Sequence, residues 1–322
     1  MDYVNLGRAG VKVSRFCLGG GNFGGRTDEA ESARIIAAAL DAGVNFIDTA
    51  NWYNEGRSEE IIGRAVEGVR DDLVLATKVE GPVGEGPNDR GLSRYHIIRE
   101  VERSLRRLRT DRIDLYQLHR PDPAVPLDET LSALTDLVRA GKVRYIGAST
   151  FPAWRLCESL WISDVRRLER FVSEQPPYSI LCRGPETELL PFCAQHGFAV
   201  LPWSPLAGGW LSGKYRLGEA VPSDSRAAAW AWEMDTPPAR RRYEAVEALL
   251  PVAQSAGVPL ARMALAWLSA NPAVTSVLVG PRTVDQLRDC LASADVAMPD
   301  DLLRRIDGVV PPGADLMDWY LR

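Results

Sequence analysis

Four polar residues of complementary chemistry lie just beyond short apolar runs of this 322-residue sequence. They are Asp48, Tyr53 five residues later, Lys78 and His119. A phenol normally has a pKa near ~10, and a neighbouring ammonium such as that of Lys78 lowers it. A carboxylate at Asp48 can keep that ammonium charged, and His119 can hydrogen-bond the same oxygen that Tyr53 protonates. The set is therefore suited to protonating an oxygen that becomes alkoxide-like.

Other reaction classes have weaker support in the same sequence. Acyl transfer is not favoured, since no Ser–His–acid set is evident, and no pair of carboxylates suggests a glycosidase. The three histidines, His96, His119 and His196, show neither HxH nor HExxH spacing. We therefore predict no metal site.

A glycine-rich segment over residues 19–24 matches the GxGxxG pattern of dinucleotide-binding Rossmann folds. In that fold, the third glycine packs within the helix that it opens. Here the best helix caps, Thr27 and Asp28, come only after the glycines, so the segment is predicted to be a loop. We expect Gly20 and Gly21 to let the backbone approach a ligand closely.

The elements that must position these residues alternate regularly along the chain. Buried strands are predicted near residues 16–18, 45–47, 73–76, 113–118, 143–146, 171–173, 199–201 and 276–279. Helices are predicted from residues 27 or 28 to 42, from 58, from 93 to 108, and over 127–140, 152–168, 186–196, 260–270 and 283–292. Eight such units indicate an α/β fold, a (β/α)8 TIM barrel, whose strand ends carry the chemistry. An N-terminal β-hairpin over residues 3–13, a long excursion over 207–238 and an extra helix over 239–254 complete the prediction.

Composition narrows the class of protein further. A net charge of −5 argues against nucleic acid as a partner. Five cysteines without a CxxC pair favour a reducing compartment. We read neither a signal peptide nor a membrane-spanning run. The expectation is a single cytoplasmic barrel domain over residues 1–322, with no membrane partner and its oligomeric state open.

Six segments, in chain order, resemble motifs of the aldo-keto reductase family. The order of elements resembles the branch with a long penultimate loop, which includes bacterial aldo/keto reductases, deoxysugar reductases and potassium-channel β-subunits. The segments are 46–59 around Asp48 and Tyr53, 76–78 at Lys78, 111–119 ending in His119, 141–149, 203–215 and 279–286. They span nearly the whole chain.

The resemblance implies NADPH-dependent reduction of a carbonyl group, with NADPH/NADP⁺ as cofactor. Tyr53 would be the general acid, Lys78 and Asp48 would tune it, and His119 would orient the carbonyl. Trp203 stands where many members have a Tyr that stacks on the nicotinamide, and Thr150 stands where Asn is common. The implied cofactor-binding residues are Gly20, Gly21, Ser149, Gln175, Trp203, Ser204, Leu206, Gly208, Lys214, Gly280, Arg282 and Gln286, of which Ser149 and Gln175 would bind the carboxamide.

Arg282 is the residue that we predict to bind the 2′-phosphate of NADP, because its charged fork matches a phosphate; the alternative is an exposed surface arginine. The substrate is predicted to be a small carbonyl compound, an aldehyde, ketone, ketosugar or quinone. Its pocket would be lined by Phe23, Trp52, Trp230 and Trp232, unless the tryptophans of the excursion simply pack that loop onto the barrel. Two alternative functions are a NADP(H)-binding regulatory, redox-sensing subunit with little turnover and a cofactor-free barrel hydrolase.

Overall fold

A computed structural model describes residues 1–317 and 319, and its first element is the expected β-hairpin. Strands β1 (Tyr3–Asn5) and β2 (Lys12–Ser14) pair antiparallel. In the loop between them, Gly7 has a φ of +57°, and a Cβ built on it would lie 2.5 Å from the backbone nitrogen of Ala199. The hairpin loop is thus pressed against the start of a barrel strand, and only glycine fits there.

Eight parallel strands follow and form one sheet. They are β3 (Phe16–Gly19), β4 (Phe46–Asp48), β5 (Val74–Val79), β6 (Ile113–Leu118), β7 (Val143–Ser149), β8 (Ser173–Gln175), β9 (Ala199–Val200) and β10 (Val277–Val279). The ladder runs β10-β3-β4-β5-β6-β7-β8-β9. Its two edges are joined by backbone hydrogen bonds from Thr275 to Val200 (2.9 Å) and from Leu278 to Pro202 (3.1 Å). The (β/α)8 prediction is confirmed.

Helices surround this sheet in the expected positions. They are α1 (Glu29–Asp41), α2 (Arg57–Ala65), α3 (Arg94–Arg107), α4 (Leu127–Arg139), α5 (Ala153–Arg166), α6 (Leu189–His196), α7 (Arg226–Ala229), α8 (Pro237–Ser255), α9 (Leu260–Ala270), α10 (Val284–Leu291) and α11 (Asp300–Val309). Asp28, not Thr27, caps α1 by accepting a hydrogen bond from the backbone N–H of Glu31 (2.8 Å). Gly19 ends β3, and the rest of the glycine-rich segment is a loop that precedes this cap, as predicted.

Three helical features differ from the sequence expectations. Helix α2 begins at Arg57, directly after Gly56, which has a φ of +86°. The short α7 and the C-terminal α11 were not predicted. The extra helix α8 begins at Pro237, where a proline suits the first turn because that position needs no N–H.

Strand alternation divides the apolar side chains into two cores. The inner core fills the barrel below the site and includes Phe46, Ala76 and Leu115, which are fully buried. The outer core lies between strands and helices and includes their neighbours Ile47 and Leu75. Among the described residues, no single helix is long and apolar enough to cross a membrane, and only α8 and α9 together reach that length, across a bend of 84°.

Candidate active site

The inward-facing positions change from apolar to polar at the same level of three neighbouring strands. On β4, buried Phe46 is followed two residues later by Asp48. On β5, Ala76 is followed by Lys78. On β6, Leu115 lies two residues before Gln117, which pairs with Lys78 in the ladder. Because strand side chains alternate with a period of two, these polar groups all point into the barrel mouth.

Asp48 and Lys78 form a buried ion pair, with side chains 2% and 1% exposed. Lys78 Nζ donates to Asp48 Oδ1 and to the backbone oxygen of Thr49 (2.9 Å). Burial lowers the pKa of Lys78, but Asp48 and Tyr53 outweigh it, so the net pKa is raised. The ammonium therefore stays charged throughout the neutral pH range.

The second oxygen of Asp48 is held by two amides. Its Oδ2 accepts hydrogen bonds from Nε2 of Gln117 (2.8 Å) and Nε2 of Gln175 (3.0 Å). Sequence reasoning missed Gln117, although its position two residues before His119 places both on the inward face. In this structure the amide group of Gln175, expected at a carboxamide, faces Asp48 and Gln117 Oε1 (3.2 Å).

Tyr53 comes from a tight turn rather than from a strand. It begins a 3₁₀ turn, Tyr53–Gly56, in which Asn54 and Glu55 have positive φ values of 50° and 59°. The Asn54 amide anchors the turn by donating to the backbone oxygen of Phe23 (2.7 Å). Gly21 lies beneath the phenol ring, since a Cβ built on it would be 3.7 Å from Tyr53 Cε2. Strained backbone fixed by such contacts is a frequent property of functional sites.

The phenol of Tyr53 meets the groups predicted to act with it. Its Oη is 3.4 Å from His119 Nε2, and Lys78 Nζ is 5.2 Å from its ring centroid. Burial raises the pKa of Tyr53, while Lys78 lowers it, and the net pKa is above its ordinary value. The expected direction of the Lys78 effect is present, but burial outweighs it. The group is consequently a protonated phenol at neutral pH.

His119 follows β6 and lies between two aromatic side chains. Its Nδ1 accepts a hydrogen bond from the indole N–H of Trp52 (2.9 Å), and its Nε2 faces Tyr53. Burial, Lys78 and Arg120 hold the pKa of His119 well below its usual range. The imidazole is therefore neutral at physiological pH.

A cluster of cations lies where an anionic ligand could bind. It contains Arg26, Lys214, Arg226 and Arg282, and the guanidinium of Arg282 donates to the backbone oxygen (3.0 Å) and carboxylate (3.0 Å) of Asp224. Arg26 also donates to that backbone oxygen. Burial and the neighbouring arginines lower the pKa of Lys214. A concentration of cations that destabilise one another is the donor set that phosphate groups favour.

The other residues expected to hold a cofactor are spread around the same mouth. Ser149, at the end of β7, donates to the backbone oxygen of Gln175 (2.9 Å). Gln286 accepts from the backbone N–H of Arg282 (2.8 Å), and Gly280 accepts from the Asn22 amide (2.9 Å). The backbone N–H of Gly20 donates to the backbone oxygen of Asp48 (2.7 Å), and Ser204 has a positive φ of 54°. Leu206 is partly buried, and the ring centroids of Trp203 and Trp319 are 5.0 Å apart.

The four residues predicted to line a substrate pocket have different environments. Trp52 is 40% exposed beside His119, and Trp230 is 62% exposed. Trp232 packs over Gly208, where a Cβ would lie 2.4 Å from the indole. Phe23, in contrast, is fully buried in the outer core and has no face left for a ligand. Of these four side chains, only the tryptophans therefore retain surface that a ligand could contact.

Comparisons with known proteins show the family of the chain. The aldo/keto reductase family model matches residues 15–311. The chain is 43% identical to the uncharacterized oxidoreductase YrpG of Bacillus subtilis, covering 99% of each chain. It is 40% identical to a probable voltage-gated potassium channel subunit beta of Arabidopsis thaliana, with 92% of each covered, and 35% identical to the aldo-keto reductase dtxS3 of Metarhizium robertsii, covering 91% of this chain and 86% of that one. The chain belongs to the aldo/keto reductase family.

Proposed function

We propose that this chain reduces an aldehyde or ketone to an alcohol, with NADPH as hydride donor and Tyr53 as proton donor. The observation that carries the proposal is the convergence of Tyr53, His119 and the Lys78–Asp48 pair at one point of the barrel mouth. Family membership and oxidoreductase-named relatives support a carbonyl-reducing oxidoreductase in general.

Two donors 3.4 Å apart, Tyr53 Oη and His119 Nε2, can serve one carbonyl oxygen. An oxygen about 2.8 Å from each completes two hydrogen bonds of ordinary length. When bound, NADPH would supply the hydride to the carbonyl carbon. As negative charge develops on the oxygen, the Tyr53 proton moves to it and the phenolate remains beside the Lys78 ammonium. Asp48 keeps that ammonium charged and in position.

The cation cluster supports a cofactor that carries several phosphates. Arg26, Lys214, Arg226 and Arg282 would bind these phosphates, with Arg282 assigned to the 2′-phosphate that distinguishes NADPH from NADH. The carboxylate of Asp224 now occupies the fork of Arg282, and a phosphate matches the same fork. The positively charged side of the mouth thus suits a ligand that carries several phosphate groups.

The experiment follows oxidation of NADPH by absorbance with a panel of aldehydes and ketones. We expect turnover by the wild type and a fall in kcat of roughly 100-fold or more in Tyr53→Phe, the range lost with a general acid. Tyr95→Phe is the matched control, because Tyr95 is 64% exposed on α3. Equal turnover by Tyr53→Phe and Tyr95→Phe would exclude Tyr53 as the proton donor.

A second candidate is a NADP(H)-binding regulatory subunit with little turnover. It is favoured by relatives whose names describe them as probable potassium channel beta subunits. The same panel distinguishes the two. Tight NADPH binding without turnover on any carbonyl supports the regulatory subunit, and turnover that depends on Tyr53 supports the enzyme.

A further inference from the structure

Trp52 makes a directed contact with the imidazole that faces Tyr53. Its indole Nε1 donates to His119 Nδ1 at 2.9 Å, with ring centroids 5.6 Å apart and planes inclined by 52°. Trp52 immediately precedes Tyr53, so one turn of the chain supplies both neighbours of the imidazole. Its ring centroid lies 5.8 Å from that of Tyr53.

The position of the indole is set by a glycine in the loop that follows the next strand. Gly81 comes two residues after β5 ends, and a Cβ built on it would lie 2.5 Å from Trp52 Cδ1 and 2.6 Å from Nε1. Any side chain at residue 81 would therefore displace the indole. The close approach of Gly81 keeps the N–H of Trp52 aimed at His119.

This contact determines where the imidazole carries its proton. An indole nitrogen is only a donor, so its partner His119 Nδ1 must be an acceptor. A neutral imidazole with a bare Nδ1 is protonated at Nε2, the nitrogen that faces Tyr53 Oη. In the opposite tautomer, Nε2 would accept a hydrogen bond from the Tyr53 hydroxyl, and neither group would then donate to a substrate oxygen.

We propose that Trp52 is a positioning residue that holds His119 in the Nε2–H tautomer, so that Nε2 and Tyr53 Oη both donate to one carbonyl oxygen. The catalytic part of this inference rests on the proposed carbonyl reduction. The tautomer itself does not depend on any reaction.

The test is nitrogen NMR of the histidine side chains in protein labelled with ¹⁵N-histidine. The chain has three histidines, and a His119→Asn variant assigns the signal of His119. We expect a bare Nδ1 and a protonated Nε2 in the wild type. Trp52→Phe keeps an aromatic ring without the N–H, so the Nδ1–H population should increase, whereas Trp161→Phe, on an exposed face of α5, should leave the spectrum unchanged.

A second variant perturbs the same hydrogen bond from the other side. Gly81→Ala retains Trp52 but displaces its indole, and it should shift His119 in the same direction. An unchanged tautomer in either Trp52→Phe or Gly81→Ala, with a folded protein by circular dichroism, would overturn the inference.

Kinetics test the catalytic part. With a substrate that the wild type reduces, kcat of Trp52→Phe should fall roughly 5-fold, the effect of weakening one hydrogen bond, while NADPH affinity stays unchanged. A tautomer shift without any change in kcat would refute a role in catalysis. Absence of turnover by the wild type would instead refute the proposed function, and the NMR result would still decide the tautomer.

Discussion

The buried pair of Asp48 and Lys78 offers a quantitative test of how this site is held together. Both side chains are almost fully buried, and each compensates the charge of the other. Asp48→Asn leaves an ammonium without its counter-charge, and Lys78→Met leaves a carboxylate. Breaking a buried pair in this way typically costs about 3–5 kcal/mol, whereas replacing both members is far less costly.

The two single costs should differ because the partners differ. In Lys78→Met, Asp48 Oδ2 still accepts from the amides of Gln117 and Gln175, so we expect the lower end, about 3 kcal/mol. In Asp48→Asn, the remaining neutral partner of Lys78 is the backbone oxygen of Thr49, so we expect the upper end, about 5 kcal/mol. The double variant should lose about 2–3 kcal/mol. Because the two single costs together amount to about 8 kcal/mol, the expected coupling is about 5–6 kcal/mol.

The pH dependence of the free energy of unfolding is a second test of the same ion pair. In Asp48→Asn, burial without the carboxylate depresses the folded-state pKa of Lys78 below the unfolded value. The unfolded state then binds more protons than the folded state. The free energy of unfolding should therefore rise with pH in this variant until Lys78 is neutral in both states.

The assay is urea-induced unfolding at several pH values, followed by both tryptophan fluorescence and circular dichroism so that coincident transitions justify a two-state analysis. The control cycle uses Asp285→Asn and Arg288→Met, an exposed pair on α10, for which no measurable coupling is expected. Additive costs at Asp48 and Lys78, matching the control cycle, would refute the interpretation of the pair as mutually dependent.

Two further variants test other groups of the molecule. Arg282→Ala should weaken NADPH binding roughly 10- to 100-fold and NADH binding far less, because one charged hydrogen-bond donor to the 2′-phosphate is lost; Arg288→Ala is the control in a fluorescence titration, and equal effects on the two cofactors would remove the assignment. Burial raises the pKa of Glu174 well above its ordinary value of 4.5, although the backbone N–H groups of Phe151 and Thr150 oppose the rise. The folded state then holds the proton that the unfolded state has lost, so stability falls by up to about 1.4 kcal/mol per pH unit above that value. Glu174→Gln should flatten this decline in thermal unfolding, and a slope identical to wild type would show that Glu174 is ionised.

Sequence patterns were enough to predict the site residues that lie at the ends of neighbouring strands. Asp48, Lys78 and His119 each follow an apolar run, and the barrel rule places such positions on one rim. Gln117 could have been predicted in the same way, since it lies on the inward face of β6 two residues before His119. Helix α11 also had a visible signal, with Asp300 and Asp301 in its first turn and Leu302 and Ile306 one turn apart.

Loop contacts were beyond the reach of such patterns. Arg26 and Asp224 are separated by 198 positions, and both lie in irregular segments without periodicity. The contact between Trp52 and His119 depends on the absence of a side chain at Gly81, which no spacing rule encodes. The net pKa of Tyr53 also required coordinates, because its sign depends on how far burial exceeds the effect of Lys78.

The arrangement explains why the polar groups of the site depend on one another. Asp48 and Lys78 lie directly above an apolar inner core that includes Phe46 and Ala76, so neither charge can be solvated from below. The ion pair satisfies both charges, and the carboxylate opposes the effect of burial on the pKa of the Lys78 ammonium beside Tyr53. Lys78 thus lowers the free energy of forming the Tyr53 phenolate, and the buried charge of Lys78 is itself compensated by Asp48. A change at Asp48 should therefore reduce stability and proton transfer together, whereas Trp52→Phe should change the position of the His119 proton without breaking the ion pair.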